Sequence, residues 1–202
     1  MTFTILGSAA AEGWPALWCS CEVCREARRR GGKNIRRRTA YQLGDRIHID
    51  LGPDSYAQML QFDLRYDTLQ HLLITHSHPD HLCPQELEYR SAGFVPEAPP
   101  AELIIWGNAA VEERIRTAGI DLEACRICFR RITPFETIDL GQGVLATPIP
   151  ADHAGEEQAV NYLLEREGRV ILQGNDTGWW PEQTWEFLAT KVLDVAIIEC
   201  TY

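Results

Sequence analysis

The chain contains 202 residues, of which 45% are apolar and 24% charged, and its 29 acidic and 19 basic side chains give a formal net charge of −10. No uninterrupted apolar run exceeds four residues, whereas a membrane-spanning helix needs about 20 apolar positions, so the sequence excludes a transmembrane protein. The acidic balance argues against a sequence-independent nucleic-acid binder, and the absence of an export signal predicts a cytoplasmic protein.

Short β-type runs alternate with helical stretches, which predicts an α/β fold in a single domain over residues 1–202. The predicted strands are 2–6, 39–43, 46–50, 69–75, 102–106, 143–149, 159–165, 169–173 and 194–199. The Gly44-Asp45 pair between the second and third strands is typical of a hairpin turn. Helices are predicted over 109–118 and 181–190.

A basic segment lies inside a cysteine-containing insertion at 19–38. Residues 25–38 hold eight basic side chains and one acidic one, a net charge of +7 that leaves −17 for the remainder. Such a run is typical of a solvated surface loop. The alternative is a phosphate-steering patch, in which 36–38 would help to bind a terminal phosphate.

The strongest chemical signal is a cluster of imidazoles and a carboxylate that directly follows a predicted apolar strand. It consists of His76, His78, Asp80 and His81. Imidazole and carboxylate are ligands that suit zinc, manganese or iron. The first two can converge on one ion from a turn, while the chain reversal directs the last two towards a second. Two further polar positions, His153 and Asp176, also follow predicted strands, where function concentrates.

The order of these features resembles the metallo-β-lactamase-fold hydrolases over essentially the whole chain. The matching positions are Gly7-Ser8, Asp50, the 76–81 motif, His153 and Asp176. The resemblance implies an αββα sandwich with two divalent ions, zinc or manganese, at one edge. It implies that the first ion binds His76, His78 and His153, that the second binds Asp80 and His81, and that Asp176 bridges both.

A second motif, Cys19-x-Cys21-x-x-Cys24, suits a structural tetrahedral zinc that is one ligand short. The alternative is three reduced, buried cysteines. Within the fold, this insertion is similar to the phosphodiesterase subgroup of phosphonate breakdown, which opens phosphoribosyl 1,2-cyclic phosphate. A related cysteine cluster occurs in the protein of pyrroloquinoline quinone biosynthesis.

Two ligands that the resemblance implies have no match in this sequence. One is a histidine of the second ion, and the other is the fourth ligand of the cysteine site. Both would follow Tyr202, and the last predicted strand has only three residues after it. We therefore expect the chain to lack the C-terminal part of the fold and to belong to a longer protein.

The expected function is hydrolysis of a small cyclic phosphodiester by a dinuclear metal enzyme in which Asp80 and Asp176 are ligands that also relay protons. Alternatives within the fold are hydrolysis of RNA, a lactone or a thioester. A further alternative is a non-hydrolytic metal-binding biosynthetic protein. The expected partner is a small anionic phosphodiester, without membrane or nucleic acid, and the candidate assembly is a homodimer.

Five further residues are given supporting roles. Asp50 and Glu199 lie at strand ends, where they are expected to accept hydrogen bonds from ligand imidazoles. His48 lies inside a strand and is interpreted as structural. The pair Trp179-Trp180 is interpreted as packing.

Overall fold

The structure is a computed structural model that describes residues 2–97 and 101–200. Its strands are β1 (Phe3–Gly7), β2 (Ala40–Leu43), β3 (Ile47–Ile49), β4 (His71–Leu73), β5 (Leu103–Gly107), β6 (Ile127–Arg131), β7 (Ile138–Asp139), β8 (Val144–Pro150), β9 (Val160–Arg166), β10 (Arg169–Gly174) and β11 (Val195–Ile198). Its α-helices are α1 (Glu22–Arg30), α2 (Ser55–Phe62), α3 (Gln85–Glu88), α4 (Ala109–Thr117) and α5 (Glu182–Ala189).

The strands form two sheets. The first has the order β1-β2-β3-β4-β5-β6, with antiparallel pairing from β1 to β3 and parallel pairing from β3 to β6. The second has the order β11-β10-β9-β8-β7, antiparallel except for the β10–β11 pair. In the second sheet β8 and β10 therefore run in the same direction, and their C-terminal ends lie at the same edge.

Three apolar clusters hold the layers together. Between the sheets, Tyr41 and Leu73 of the first sheet share a core with Tyr162 of the second. The outer face of the first sheet packs on α4 through Ile115. The outer face of the second sheet packs on α5 through Leu188. The layer order is thus helix, sheet, sheet and helix.

Polar bridges also join the two sheets beside the later part of β4. The backbone N–H of Val160 donates to the carbonyl of Thr75 at 3.0 Å. The hydroxyl of Tyr162 donates to the carbonyl of Ile74 at 3.1 Å. These bonds fix the ends of β4 and β9 relative to each other.

The predicted α/β class and αββα sandwich are confirmed. Each predicted strand and both predicted helices occur, with ends that differ by a few residues. The prediction of a surface loop over 25–38 is wrong for its first part, because α1 extends to Arg30. Cys21 caps this helix by accepting from the N–H of Cys24, and Glu26 pairs with Arg29 and Arg30 one turn later.

Candidate metal centre

The candidate centre lies where four strands end at one edge of the sandwich. Asp50 follows β3, and the 76–81 motif follows β4 in the first sheet. His153 follows β8 and Asp176 follows β10 in the second sheet. The docking of the two sheets therefore brings together residues as distant in the sequence as Asp50 and Asp176, which are 126 positions apart.

Three histidines form the first group of potential ligands. Ligand nitrogens of His76, His78 and His153 all lie within 4.8 Å of one another. Their ring centroids are 4.6 Å, 4.7 Å and 5.0 Å apart in pairs. These are the three residues that the resemblance implies for the first ion.

The side chain of His76 has an unsatisfied polar atom at the centre of the cluster. His76 is 1% exposed, and its Nε2 has no hydrogen-bond partner. Burial, together with the neighbouring His81, lowers the pKa of His76 to about 2, so the ring is neutral at physiological pH. A buried imidazole nitrogen with a free lone pair fits a metal ion, because buried polar atoms otherwise find a partner.

A second group consists of His76, His81 and Asp176, whose ligand atoms also lie within 4.8 Å of one another. Asp176 Oδ2 is 2.6 Å from His81 Nε2 and 3.8 Å from His76 Nε2. Asp80 contacts the same nitrogen of His81 at 3.3 Å. The two groups share His76, whereas the resemblance implies that Asp176 is the shared residue.

The charges around His81 are tightly coupled. Burial alone would lower the pKa of His81, but the carboxylates of Asp50, Asp176 and Asp80 raise it well above its ordinary value. Burial opposes ionisation of Asp80, yet its hydrogen bond with His81 lowers its pKa to about 2. Three carboxylates around one imidazole therefore favour positive charge at this point, which a divalent cation would also supply.

Asp50 fixes the orientation of His81 from the other side. Its Oδ2 accepts from His81 Nδ1 at 2.7 Å, and its Oδ1 accepts from the N–H of Thr75 at 2.9 Å. The expectation for Asp50 is confirmed. The expectation for Glu199 is wrong, because Glu199 accepts from the backbone N–H of Asp176 at 3.1 Å and not from an imidazole.

The cysteine motif forms a separate cluster at the start of α1. The three sulfur atoms of Cys19, Cys21 and Cys24 lie within 4.8 Å of one another. The N–H of Cys24 donates to the sulfur of Cys21 and lowers the pKa of Cys21 to about 7, which favours the thiolate that binds metals. The guanidinium of Arg28 donates to the carbonyl of Cys19 at 3.0 Å and steadies the loop. Among the described residues, no fourth ligand joins these sulfurs.

The basic segment is largely occupied by contacts within the protein. Arg38 pairs with Asp54 at 2.9 Å, and Arg37 contacts the side chain of Gln61. Asp54 offsets the charge of Arg38, whereas Gln61 is neutral and leaves the charge of Arg37 in place.

Tryptophans line two grooves beside the 176–178 loop. Trp180 is 5% exposed and packs in the core, as expected, but Trp179 is 80% exposed, so the packing interpretation is wrong for it. One groove continues past Trp185 to Ile198, and the other continues to Asp152. Exposed aromatic surface next to the cluster is suited to contact an apolar part of a ligand.

Sequence reasoning missed Glu157, whose carboxylate contacts Ser77 between two of the candidate ligands. A single acidic residue in a turn gives no periodic or motif signal, and its partner is 80 positions away. His48 lies outside the cluster and is bonded to Gln42 at 2.6 Å, which agrees with a structural role. No helix within the described ranges is long and apolar enough to cross a membrane.

An αββα sandwich with a cluster of histidines and aspartates at one edge defines the class of metallo-β-lactamase-fold proteins. The chain belongs to the beta-lactamase superfamily domain family, which matches residues 45–202. The predicted resemblance to the metallo-β-lactamase fold is confirmed.

Several solved structures share the fold. The chain is similar to a diphosphatase from the PhnP family, with a TM-score of 0.74 and 23% identity over 96% of this chain and 72% of that chain. It is similar to zinc-bound PqqB from Methylobacterium extorquens, with a TM-score of 0.74 and 16% identity over 98% of this chain and 72% of that chain. It is also similar to the short form of human tRNase Z, with a TM-score of 0.66 and 16% identity over 96% of this chain and 76% of that chain.

One curated relative has higher identity over a shorter segment. The chain is 37% identical over 86 residues to the octanoyltransferase of Porphyromonas gingivalis (strain ATCC BAA-308 / W83). The matched segment is 41% of this chain and 16% of that protein. The match thus spans a small part of the curated relative's length.

Proposed function

We propose that this protein is a dinuclear metal-dependent phosphodiesterase that hydrolyses a small cyclic phosphodiester, such as phosphoribosyl 1,2-cyclic phosphate. The observation that carries the proposal is the buried, unpartnered Nε2 of His76, which lies within reach of ligand atoms on both sides. A lone surface cluster of histidines would not need such a buried, neutral nitrogen.

The described residues offer ligands for two divalent ions, zinc or manganese. His76, His78 and His153 would hold the first, and Asp80, His81 and Asp176 would hold the second, with Asp176 between them. When bound, such ions supply a water that loses its proton near neutral pH and positive charge that offsets the charge of a phosphodiester.

Side chains of this protein orient the candidate ligands and transfer protons. Asp50 fixes the ring of His81 through Nδ1, so that Nε2 faces Asp80 and Asp176. Asp176 is partly exposed, and because its Oδ2 already contacts His81 Nε2 at 2.6 Å, its other oxygen is the one left to relay a proton. Asp80 is more enclosed, and its pKa of about 2 favours the ionised form that would serve as a ligand.

The preference for a cyclic phosphodiester rests on the cysteine cluster. Three sulfurs within 4.8 Å of one another, one of them with a lowered pKa, suit a structural zinc. The same insertion marks the phosphodiesterase subgroup that the sequence resembles. A similar fold in a diphosphatase of the PhnP family is compatible with this choice.

The test is a phosphorus NMR time course with the full-length natural protein, supplied with zinc or manganese, and phosphoribosyl 1,2-cyclic phosphate. We expect ring opening to a phosphomonoester that a chelator stops. Asp176→Ala should slow turnover by about 100-fold or more, because it removes a ligand and a proton acceptor. The matched control is Asp45→Ala, which changes an exposed hairpin aspartate. Full activity of Asp176→Ala would contradict the assignment.

Hydrolysis of a medium-chain acyl thioester is a second candidate. It is favoured by the relative that is named an octanoyltransferase and by the tryptophan-lined grooves beside the cluster. For this substrate, Trp179→Ala should slow hydrolysis of an octanoyl thioester but not of an acetyl thioester. A metal-loaded protein inactive on both substrate types would instead favour a non-hydrolytic role.

A further inference from the structure

Glu157 lies in the turn between β8 and β9, four residues after His153, and contacts the 76–81 motif directly. Its carboxylate accepts from the backbone N–H of Ser77 at 3.0 Å and 3.1 Å and from the hydroxyl of Ser77 at 2.7 Å. Ser77 stands between His76 and His78. The turn that follows one candidate ligand is therefore bonded to the residue between the other two.

The same carboxylate is held from its far side by a helix cap. Asn108 is 5% exposed, and its Nδ2 donates to Glu157 Oε2 at 2.8 Å. The Oδ1 of Asn108 accepts from the N–H of Val111 at 2.9 Å and caps α4. An ionised carboxylate only accepts hydrogen bonds, so Glu157 can accept from Ser77 and from Asn108 at the same time in one side-chain orientation.

We propose that Glu157 is a positioning residue that sets the spacing of His76 and His78 relative to His153 for metal binding. The inference rests on the proposed function, since it concerns the same cluster. Glu157 is not itself in either group of potential ligands. It acts through Ser77, in the way that groups behind metal ligands fix the orientation of those ligands.

The hydrogen bonds on its two sides require residue 157 to offer two acceptor oxygens. In Glu157→Gln, the amide oxygen can still accept from Ser77, but the amide nitrogen would face the donor Nδ2 of Asn108. A compensating change at Asn108 is not available, because Nδ2 of Asn108 also donates to the carbonyl of Gln158 at 2.8 Å and an aspartate there would lose that bond. The variant Glu157→Gln is therefore the direct test of the contact.

The experiment measures zinc affinity by chelator competition, thermal unfolding of the metal-free protein, and hydrogen exchange of the Ser77 amide. We expect Glu157→Gln to weaken zinc binding by about 10-fold or more and to speed hydrogen exchange at the Ser77 amide. The matched control is Glu156→Gln, an exposed neighbour with the same charge change. Ile115→Val, in the core behind α4, serves as a destabilised control and should keep its zinc affinity.

The outcomes separate positioning from general stability. Wild-type zinc affinity in Glu157→Gln, or an equal loss in Ile115→Val at similar stability, would overturn the proposal. If wild-type protein bound no zinc, the proposed function would fail. In that case, unchanged Ser77 exchange in metal-free Glu157→Gln would reject the contact, and faster exchange would uphold Glu157 as the residue that holds the loop.

Discussion

At the scale of single residues, Asp50 combines an uncommon backbone conformation with buried hydrogen bonds from Thr75 and His81. Its φ of 63° lies in the left-handed region, where aspartate and asparagine are among the better-tolerated residues. That conformation turns the chain out of β3 and aims the carboxylate at Thr75 and His81. Because Asp50 is fully buried, it acts only through these hydrogen bonds to Thr75 and His81.

Replacing Asp50 by asparagine should weaken metal binding with little change in shape. Asparagine keeps the positive φ but loses the negative charge that orients His81. We expect a 10- to 100-fold loss of zinc affinity, the usual cost of removing a group behind a ligand, measured by chelator competition. Asp63→Asn is the control, since Asp63 is exposed and also has a positive φ, of 52°. Unchanged affinity in Asp50→Asn would contradict the role.

His48 should make stability depend on pH. Burial lowers the pKa of His48 to about 3, whereas the unfolded chain has a value near 6.5. The unfolded state therefore binds the proton first, and the free energy of unfolding falls as pH drops from about 6.5 towards 3, by about 1.4 kcal/mol per pH unit.

Urea unfolding of the wild-type protein and of His48→Gln at pH 7.5 and 5.0 tests this pH dependence. The variant should lose about 2 kcal/mol less than wild type between the two pH values. Equal losses would exclude His48 as the cause.

At the scale of elements, two glycines near the cluster should respond differently to a methyl group. A Cβ on Gly52 would lie 2.0 Å from the carbonyl oxygen of Asp80, whereas one on Gly155 would meet nothing within 4 Å. Gly52→Ala should therefore displace the 80–83 segment from its pairing with Leu51 and destabilise the protein by about 1–3 kcal/mol.

Gly155→Ala is the matched control, in the loop that carries His153, and should change the free energy of unfolding little. Chemical denaturation measures both changes, and chelator competition should show weaker zinc binding only for Gly52→Ala. Equal stability of the two variants would mean that the close approach of Gly52 to Asp80 does not constrain the loop.

Elements with strong periodic patterns could be predicted from the sequence, and those without them could not. The β8, β9 and β10 meander has long apolar runs and clear turns, and it was predicted. The edge strand β6 was missed because its sequence is rich in arginine, and it forms by parallel pairing with β5. The short strand β7 was missed because its two residues give no periodicity.

The candidate ligands could be predicted because they form a local motif or follow strand ends in a recognisable order. Glu157 and Asn108 could not, because each depends on a partner brought close only by the docking of the two sheets. The error for Glu199 has another cause: it follows β11, the parallel neighbour of β10, and so lies beside the N–H of Asp176, a strand pairing that the sequence does not show.

At the scale of the whole molecule, charge should prevent general binding to nucleic acid. The net charge is −10, and several arginines of the basic segment already have acidic partners, such as Glu26 for Arg29 and Arg30. We expect single-stranded RNA to bind more weakly than about 10 μM at 150 mM salt, measured by fluorescence anisotropy.

Two single substitutions test whether these ion pairs lower the affinity for RNA. Glu26→Gln releases Arg29 and Arg30 and should raise RNA affinity at low salt, whereas Glu22→Gln in the same helix should have a smaller effect. Tight binding of single-stranded RNA by the wild-type protein at 150 mM salt would contradict the prediction and would favour the alternative of RNA hydrolysis.

The bonds from Val160 to Thr75 and from Tyr162 to Ile74 show that the cluster exists only once both sheets have docked. An ion held there would be captured after the slow, non-local steps of folding, because its ligands come from strands far apart in the sequence. Zinc should then leave the refolding rate unchanged and slow unfolding, since it stabilises the native state but not the transition state. The ion would thus slow the unfolding of the folded sandwich without directing its assembly.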